Sequence, residues 1–347
     1  MAPVTNGRVL FNEYLPTGYP IPGKTVVYDT SETIDLENVA LNGGFLVKVL
    51  VLSIDPYQRN RLKAPSDQRS YGSFELGKPI QNFGVGVVLR SENSAVKAGD
   101  HVYGQYDFQQ YVIVPELPSR IWRVLENKEQ IPWSAYVGVA GMPGQTAYYG
   151  WKEYASPQKG EVAFVTTGAG PVGATVIQLA KADGLKVIAS AGSDDKVEYM
   201  KSIGADVAFN YKTTKTSDVL AKEGPIHVFW DNVGGESFEA AIEHAATGAR
   251  LLECGMITVY NTNETYTVKN LFQIIGKELH IHGVMVAGPL HEKYVDEFYE
   301  TIPEKIARGE LKYKEHVLHG LDKAGQGLLD VQTGKNFGKC VIVVAEE

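Results

Sequence analysis

The amino-acid sequence predicts an α/β protein in which a doubly wound parallel-sheet domain is joined to a second, β-rich domain. Three observations carry this expectation. At 347 residues the chain exceeds what one hydrophobic core commonly organises, so two domains are expected. Its N-terminal ~130 residues alternate short Val-, Ile- and Leu-rich runs with Gly, Pro and Asp turns, the pattern of a β lobe. From about Trp133 the rhythm becomes strand, glycine turn and helix in repetition, which requires a parallel sheet crossed by right-handed helical connections.

In chain order, the runs GGFLVKVLVLSI, NFGVGVVLRS, AGDHVYG and QQYVIV supply strands of the first lobe. Asp100 and His101, in AGDHVYG, are expected in a turn between strands with a structural role. The repeating part opens with EVAFVTTGAG and PVGATVIQLAKADG, continues with KVIASAGS and DDKVEYMKSIG, and then with HVFWDNVGG and ESFEAAIEHAATG. Each pair reads as an apolar strand, a turn and a helix. Beyond Tyr294 the helical stretch EFYETIPEKIARGEL leads to KCVIVV, a C-terminal strand able to rejoin the first lobe. No internal repeat or low-complexity tract interrupts this order.

Composition narrows the function. Hydrophobic residues make up 44% and charged residues 21%, which is enough for packed cores and without a disorder signature. A net charge of −8 offers no basic surplus to neutralise a phosphate backbone, so neither nucleic acid nor an anionic membrane is expected as a main partner. The N-terminus lacks a cationic segment with a following apolar run, and no stretch reaches the ~20 apolar residues of a membrane span. A cytoplasmic location is the expectation. The two cysteines, Cys254 and Cys340, allow neither a disulfide framework nor a four-cysteine zinc site, and both lie in apolar runs as buried thiols would.

The sharpest local signal is Gly168, Gly170 and Gly173, with Val172 among them, directly after the apolar run VAFVTT and opening a helix. One glycine lets the chain turn, the second lets a pyrophosphate approach the backbone, and the third lets helix and strand pack closely. Pro171 suits the first helical position, and the helix N-terminus presents amide donors to phosphate. This is the fingerprint of a Rossmann dinucleotide site. Where an NAD-specific site carries an acidic residue at the end of the second strand, this chain has Ala191, Gly192 and Ser193, with Lys196 one turn on. Small residues and a cation favour NADPH, whose 2′-phosphate they can receive. Asp194 and Asp195 remain the alternative, as NAD-type ribose ligands, though their position also suits first-turn residues stabilised by the helix dipole.

The segment VTTGAGPVGATVIQLAKADGLKVIASAGSDDKVEYMKSIGADVAFNYK resembles the cofactor region of the medium-chain dehydrogenase/reductase superfamily. The likeness is to its zinc-independent branch of leukotriene B4 dehydrogenases, prostaglandin reductases and alkenal double-bond reductases. LSIDPYQRNRL, AGMPGQTAYYG, DNVGG, CGMITVYN, IHGVMV and NFGKCVIVV are similar to that branch's motifs in the same order. The resemblance implies a GroES-like substrate domain from residues 1–130 and 300–347, around a Rossmann NADP-binding domain of residues 131–299. It further implies that Gly192, Ser193, Lys196 and Tyr211 surround the 2′-phosphate, that Asn232, Gly283, Val284 and Met285 line the nicotinamide, and that Asn336 reaches the cofactor from the other domain. A homodimer joined through the cofactor-domain sheets, at an edge such as LHIHGVMV, is compatible with it; so is a monomer.

Zinc enzymes of this superfamily need cysteine, histidine and carboxylate ligands to polarise a carbonyl. No cysteine precedes Cys254, and His280 and His282 alternate on a strand with nothing to complete a ligand set, so no metal is expected. Without a Lewis acid the hydride acceptor must already be activated, as is the β-carbon of an α,β-unsaturated aldehyde or ketone. The resulting enolate needs a donor, and a tyrosine, protonated at neutral pH, serves. By resemblance Tyr260 takes this catalytic role and Tyr57 lines the substrate cleft. Gln58 departs from the apolar residue usual beside that tyrosine, and Arg59 is expected to fasten the motif through a carboxylate such as Asp55. The leading expectation is an NADPH-dependent enal or enone double-bond reductase. A quinone reductase and a non-catalytic NADPH-binding protein are the competing ones.

Overall fold

The run FLVKVLVLSI forms strand Phe45–Ile54, buried at every position except the half-buried Lys48. Burial of that extent requires partners along both edges and cover on both faces. The computed structural model, which describes residues 2–70, 72–116 and 121–347, supplies them. Gln81–Ser91, Tyr111–Val114 and Lys339–Val343 all pair with it antiparallel, the last in the register Cys340↔Ile54 to Val343↔Val51. The seven-stranded sheet built on it also includes His101–Asp107, Arg123–Leu125 and Glu315–His319. The C-terminal strand thus rejoins the N-terminal lobe, and Phe11, Phe45, Leu52, Tyr106, Leu328 and Ile342 share one core.

This sheet belongs to one of two units, Met1–Gly138 with Glu315–Glu347; the other unit is Val139–Lys314. The expected boundaries at 130/131 and 299/300 fall elsewhere. The helix Pro289–Ala307 would be cut by the second of them, but it buries Leu290, Tyr294, Phe298, Ile302 and Ile306 as a single stripe. Phe298 meets Tyr148 and Tyr149 of helix Met142–Gly150 with ring centroids 5.7 and 5.9 Å apart, so the whole helix is held by the second unit.

The second unit is a six-stranded, all-parallel sheet in the spatial order Val207–Asn210, Lys186–Ala191, Val162–Val165, Ile226–Asp231, Ala245–Glu253 and His280–Gly283. The chain starts at its third position, winds outward to one side, then returns to wind outward to the other. That reversal, between Val162–Val165 and Ile226–Asp231, is a topological switch point, where such sheets bind ligands beyond the strand carboxyl ends. Helices Pro171–Ala182, Asp194–Ser202, Thr216–Glu223 and Glu236–His244 make the crossovers. Phe164 and Phe229, both fully buried, stack in adjacent strands with centroids 5.2 Å apart. The outermost strand, His280–Gly283, is instead largely exposed.

Candidate active site

The expected cofactor residues of the second unit gather along the carboxyl edge of its sheet. Gly168, Gly170, Val172 and Gly173 follow the first strand. Thr167 takes a left-handed φ of 54°, which turns the chain, and Gly168 N–H donates to Ser190 O at 2.9 Å, tying the turn to the neighbouring strand. A side chain at Gly173 is excluded, because its Cβ would lie 2.4 Å from Thr167 O and 2.9 Å from Gly168 Cα. Helix and turn therefore meet backbone to backbone, Pro171 sits at the helix start, and the first-turn amides point past the turn.

Beyond the second and third strands, Gly192, Ser193, Lys196 and Tyr211 come together. A Cβ at Gly192 would fall 3.0 Å from the Tyr211 hydroxyl and 3.2 Å from Lys212 Cε, so tyrosine and lysine close over the small residue. Burial lowers the pKa of Lys196; Asp195 opposes this and the Lys212 charge adds to it. Two cations whose charges act on each other repel unless an anion lies between them. Lys212 was not among the expected residues, since only the folded sheet turns it toward Lys196. Asp194 accepts from Asn210 Nδ2 at 2.9 Å and Asp195 from the Ser193 hydroxyl, which occupies both in closing the helix start.

At the switch point, Thr166 joins two strands. Its hydroxyl donates to Asp231 Oδ1 at 2.9 Å and accepts from Asn232 N–H at 2.8 Å, while Asn232 Nδ2 donates to Thr166 O at 2.8 Å. The Asn232 side chain is thereby fixed with its nitrogen turned inward. Asp231 also receives Val233 and Gly234 N–H, closing the DNVGG turn. Tyr260 follows the fifth strand on a short helical turn, Ile257–Val259, and its hydroxyl accepts from Met256 N–H at 3.3 Å. A Cβ at Gly255 would lie 3.2 Å from that hydroxyl and 3.4 Å from Asn232 O, so Tyr260 and Asn232 border one small space kept open by a glycine. After the sixth strand, Val284 N–H donates to Glu253 O and its side chain is buried near Gly150 and Trp230, whereas Gly283 and Met285 are exposed.

Beside Asp231 lies a group the sequence did not single out. Glu253 is its register partner, and both Glu253 oxygens are sealed from solvent. Burial first, then the Asp231 charge, pushes Glu253 from 4.5 up to about 9. Glu253 is thus the proton-bearing partner. The unfolded chain gives up this proton near the ordinary carboxylate value while the folded one keeps it, so stability is full at acid pH and declines as pH rises toward 9. Glu253→Gln is expected to flatten this decline by up to ~1.4 kcal/mol per pH unit. Its melting temperature should exceed that of the parent by a margin that widens from pH 5 to 9; a constant margin refutes the shared proton.

The first unit holds the remaining expected residues. Tyr57 donates to Asn82 Oδ1 at 2.6 Å, and burial raises its pKa above the usual tyrosine value, keeping it protonated. Gln58 is fully buried, with Oε1 accepting from Asp55 N–H at 2.9 Å, so it closes the turn rather than facing a ligand. Arg59 does not pair with Asp55. It donates to the carbonyls of Leu15 and Gly18, and Asp55 pairs instead with Lys339. Asn336 donates to Gly338 O at 2.8 Å. Cys340 is buried and Cys254 half-buried. Among the described residues no group of three or more His, Cys, Asp or Glu is placed to hold a metal ion, and no helix is long and apolar enough to cross a membrane.

Comparison with known proteins agrees with this geometry. Residues 171–304 match the zinc-binding dehydrogenase family, and residues 26–121 the family of N-terminal domains of oxidoreductases. The chain is 37% identical over 349 residues to the 2-alkenal reductase (NADP(+)-dependent) of Nicotiana tabacum, covering 99% of each chain. This chain is a medium-chain dehydrogenase/reductase. It is also 37% identical over 312 residues to the (+)-pulegone reductase of Mentha piperita, covering 88% of this chain and 89% of that one. CurA of Vibrio vulnificus, solved in complex with NADPH, superposes on this medium-chain dehydrogenase/reductase with a TM-score of 0.87 and 28% identity, over 98% and 100% of the two chains. Whole-length likeness to reductases of this kind places the protein in the zinc-independent reductase branch and makes it an oxidoreductase.

Proposed function

We propose that this medium-chain dehydrogenase/reductase uses NADPH to reduce the C=C bond of α,β-unsaturated aldehydes and ketones. The observation that carries the reading is the small residue Gly192 with Tyr211 and Lys212 closing over it and Lys196 one turn on, on a chain that is 37% identical throughout to an NADP(+)-dependent 2-alkenal reductase. The cradle fits the cofactor. Gly168, Gly170, Val172 and Gly173 admit its pyrophosphate at the helix start. Gly192, Ser193, Lys196 and Tyr211, with Lys212, receive its 2′-phosphate. Asn232, Gly283, Val284 and Met285 border the nicotinamide.

When bound, the reduced nicotinamide supplies a hydride to the substrate β-carbon. Negative charge then develops on the substrate carbonyl oxygen as an enolate. Tyr260 donates to that oxygen from the space beside Gly255 and Asn232, and the Met256 N–H on its own oxygen makes it a better donor. Tyr57 lines the substrate site, with its hydroxyl turned to Asn82. The test is loss of NADPH absorbance with an enal, an enone, a quinone and a saturated ketone. Turnover of the enal or enone to the saturated carbonyl compound supports the reading; turnover of the quinone alone replaces it.

The protein is proposed to act as a homodimer. Strand His280–Gly283 leaves one edge of the parallel sheet unpaired, with Ile281 40% exposed on it, and Phe272 and Ile275 nearby are 82% and 73% exposed. Pairing of two such edges about a two-fold axis would continue the sheet and cover these side chains. Light scattering should give twice the 38.0 kDa of one chain. Ile281→Asp should return it to a single chain, and a monomeric parent protein excludes the arrangement.

A further inference from the structure

Tyr57 ends a buried chain of polar groups in the β-rich unit that the reaction above leaves unused. Lys339 and Asp55 are paired at 2.8 Å with side chains only 2% and 4% exposed, and Lys339 Nζ also donates to Ile54 O. The Ser53 hydroxyl donates to the other Asp55 oxygen. Asn82, fully buried, comes next, 3.0 Å from that same carboxylate oxygen and 2.9 Å from Ser53 O. Both of these can only accept, so the amide must turn its nitrogen toward them. Its oxygen then faces Tyr57 at 2.6 Å and can only accept, so the phenol must donate. Starting from the lysine, every proton in the chain has one consistent place.

A buried ion pair is a poor source of stability, because desolvation of two charges offsets their attraction. Its effect here is directional. We propose that Lys339, Asp55 and Asn82 form a positioning relay that turns the Tyr57 proton inward, so that Tyr57 offers the substrate no hydrogen-bond donor and the enolate oxygen is served by Tyr260 alone. This rests on the placement of Tyr57 at the substrate given above. Asn82 is in this sense a positioning residue, acting only through Tyr57.

A double-mutant cycle measures that dependence. The readout is kcat and KM for an enal in the parent, Asn82→Ala, Tyr57→Phe and the double variant. Asn82→Ala is expected to lower kcat/KM about tenfold in the parent, yet to change it less than about twofold once Tyr57 is phenylalanine. Equal losses on both backgrounds would mean that Asn82 merely supports the fold, and overturn the relay. Tyr57→Phe itself should stay close to the parent, since phenylalanine likewise offers the substrate no donor; a tenfold or greater loss of kcat in Tyr57→Phe would mean that the phenol serves the substrate directly, and overturn the relay. A parent inactive on the enal and enone fails at the earlier step, the proposed reaction. Should Asn82→Ala not fold, Asn82→Asp takes its place. Its protonated carboxyl can donate to Asp55 and accept from Tyr57, so its activity relative to the parent should recover as pH falls. That recovery should vanish in the Tyr57→Phe background; if it persists, the relay is wrong.

Discussion

Tyr260→Phe is expected to lower turnover of an enal by about 10²-fold while leaving NADPH binding nearly unchanged. The substitution keeps the ring and its packing and deletes one oxygen. That oxygen is the group proposed to meet the enolate as charge develops, so the loss should fall on kcat with little change in KM. Cofactor affinity should hold, because the proposed phosphate cradle is built from the turn after Val162–Val165 and from the Gly192 region, neither of which depends on the Tyr260 hydroxyl. The checks are steady-state kinetics and a fluorescence titration with NADPH. Unchanged turnover would remove Tyr260 from the chemistry. A parallel loss of NADPH affinity would mean that the hydroxyl supports the fold of the CGMITVYN turn through Met256.

Lys196→Ala is expected to weaken NADPH by about 30-fold and NADH by less than about threefold, following the strength of a charge-assisted hydrogen bond to phosphate in a half-buried site. The structure adds a second member to this prediction. Lys212 borders Gly192 and its charge acts on Lys196, but it is exposed, so solvent screens it and Lys212→Ala should cost less. Isothermal titration with both cofactors decides the matter. Equal weakening of NADPH and NADH would detach these lysines from the 2′-phosphate.

Much of the second unit was legible in the sequence because its requirements are local. The glycines at 168, 170 and 173 answer steric demands within a few residues, and the exclusion of a side chain at Gly173 depends on Thr167 and Gly168 nearby. The strand order was legible as a class, since alternating strands and helices admit few topologies. Groups brought together by the sheet were not. Lys212 reaches Gly192 only because the third strand lies beside the second. Asp231 and Glu253 become neighbours only through the register of two strands. The pairing of Asp55 was misplaced onto Arg59, four positions along, because its partner Lys339 lies 284 residues away and enters with the last strand. The second boundary was misplaced for a similar reason: the apolar stripe of Pro289–Ala307 is visible in the sequence, but not which unit it serves.

The return of Lys339–Val343 to the side of Phe45–Ile54 also governs how the molecule can be made. During synthesis the central strand of the β-rich sheet emerges early; Tyr111–Val114 can cover residues 45–48 of one edge, but residues 51–54 of that edge must wait for nearly the entire chain. The parallel-sheet unit, uninterrupted between Val139 and Lys314, has all its strands in hand sooner and is free to fold on the ribosome first. A nascent chain that stops short of Lys339 therefore carries an open edge at residues 51–54 and an Asp55 carboxylate without its cation. Such a chain should aggregate or be degraded rather than persist as a partly active fragment.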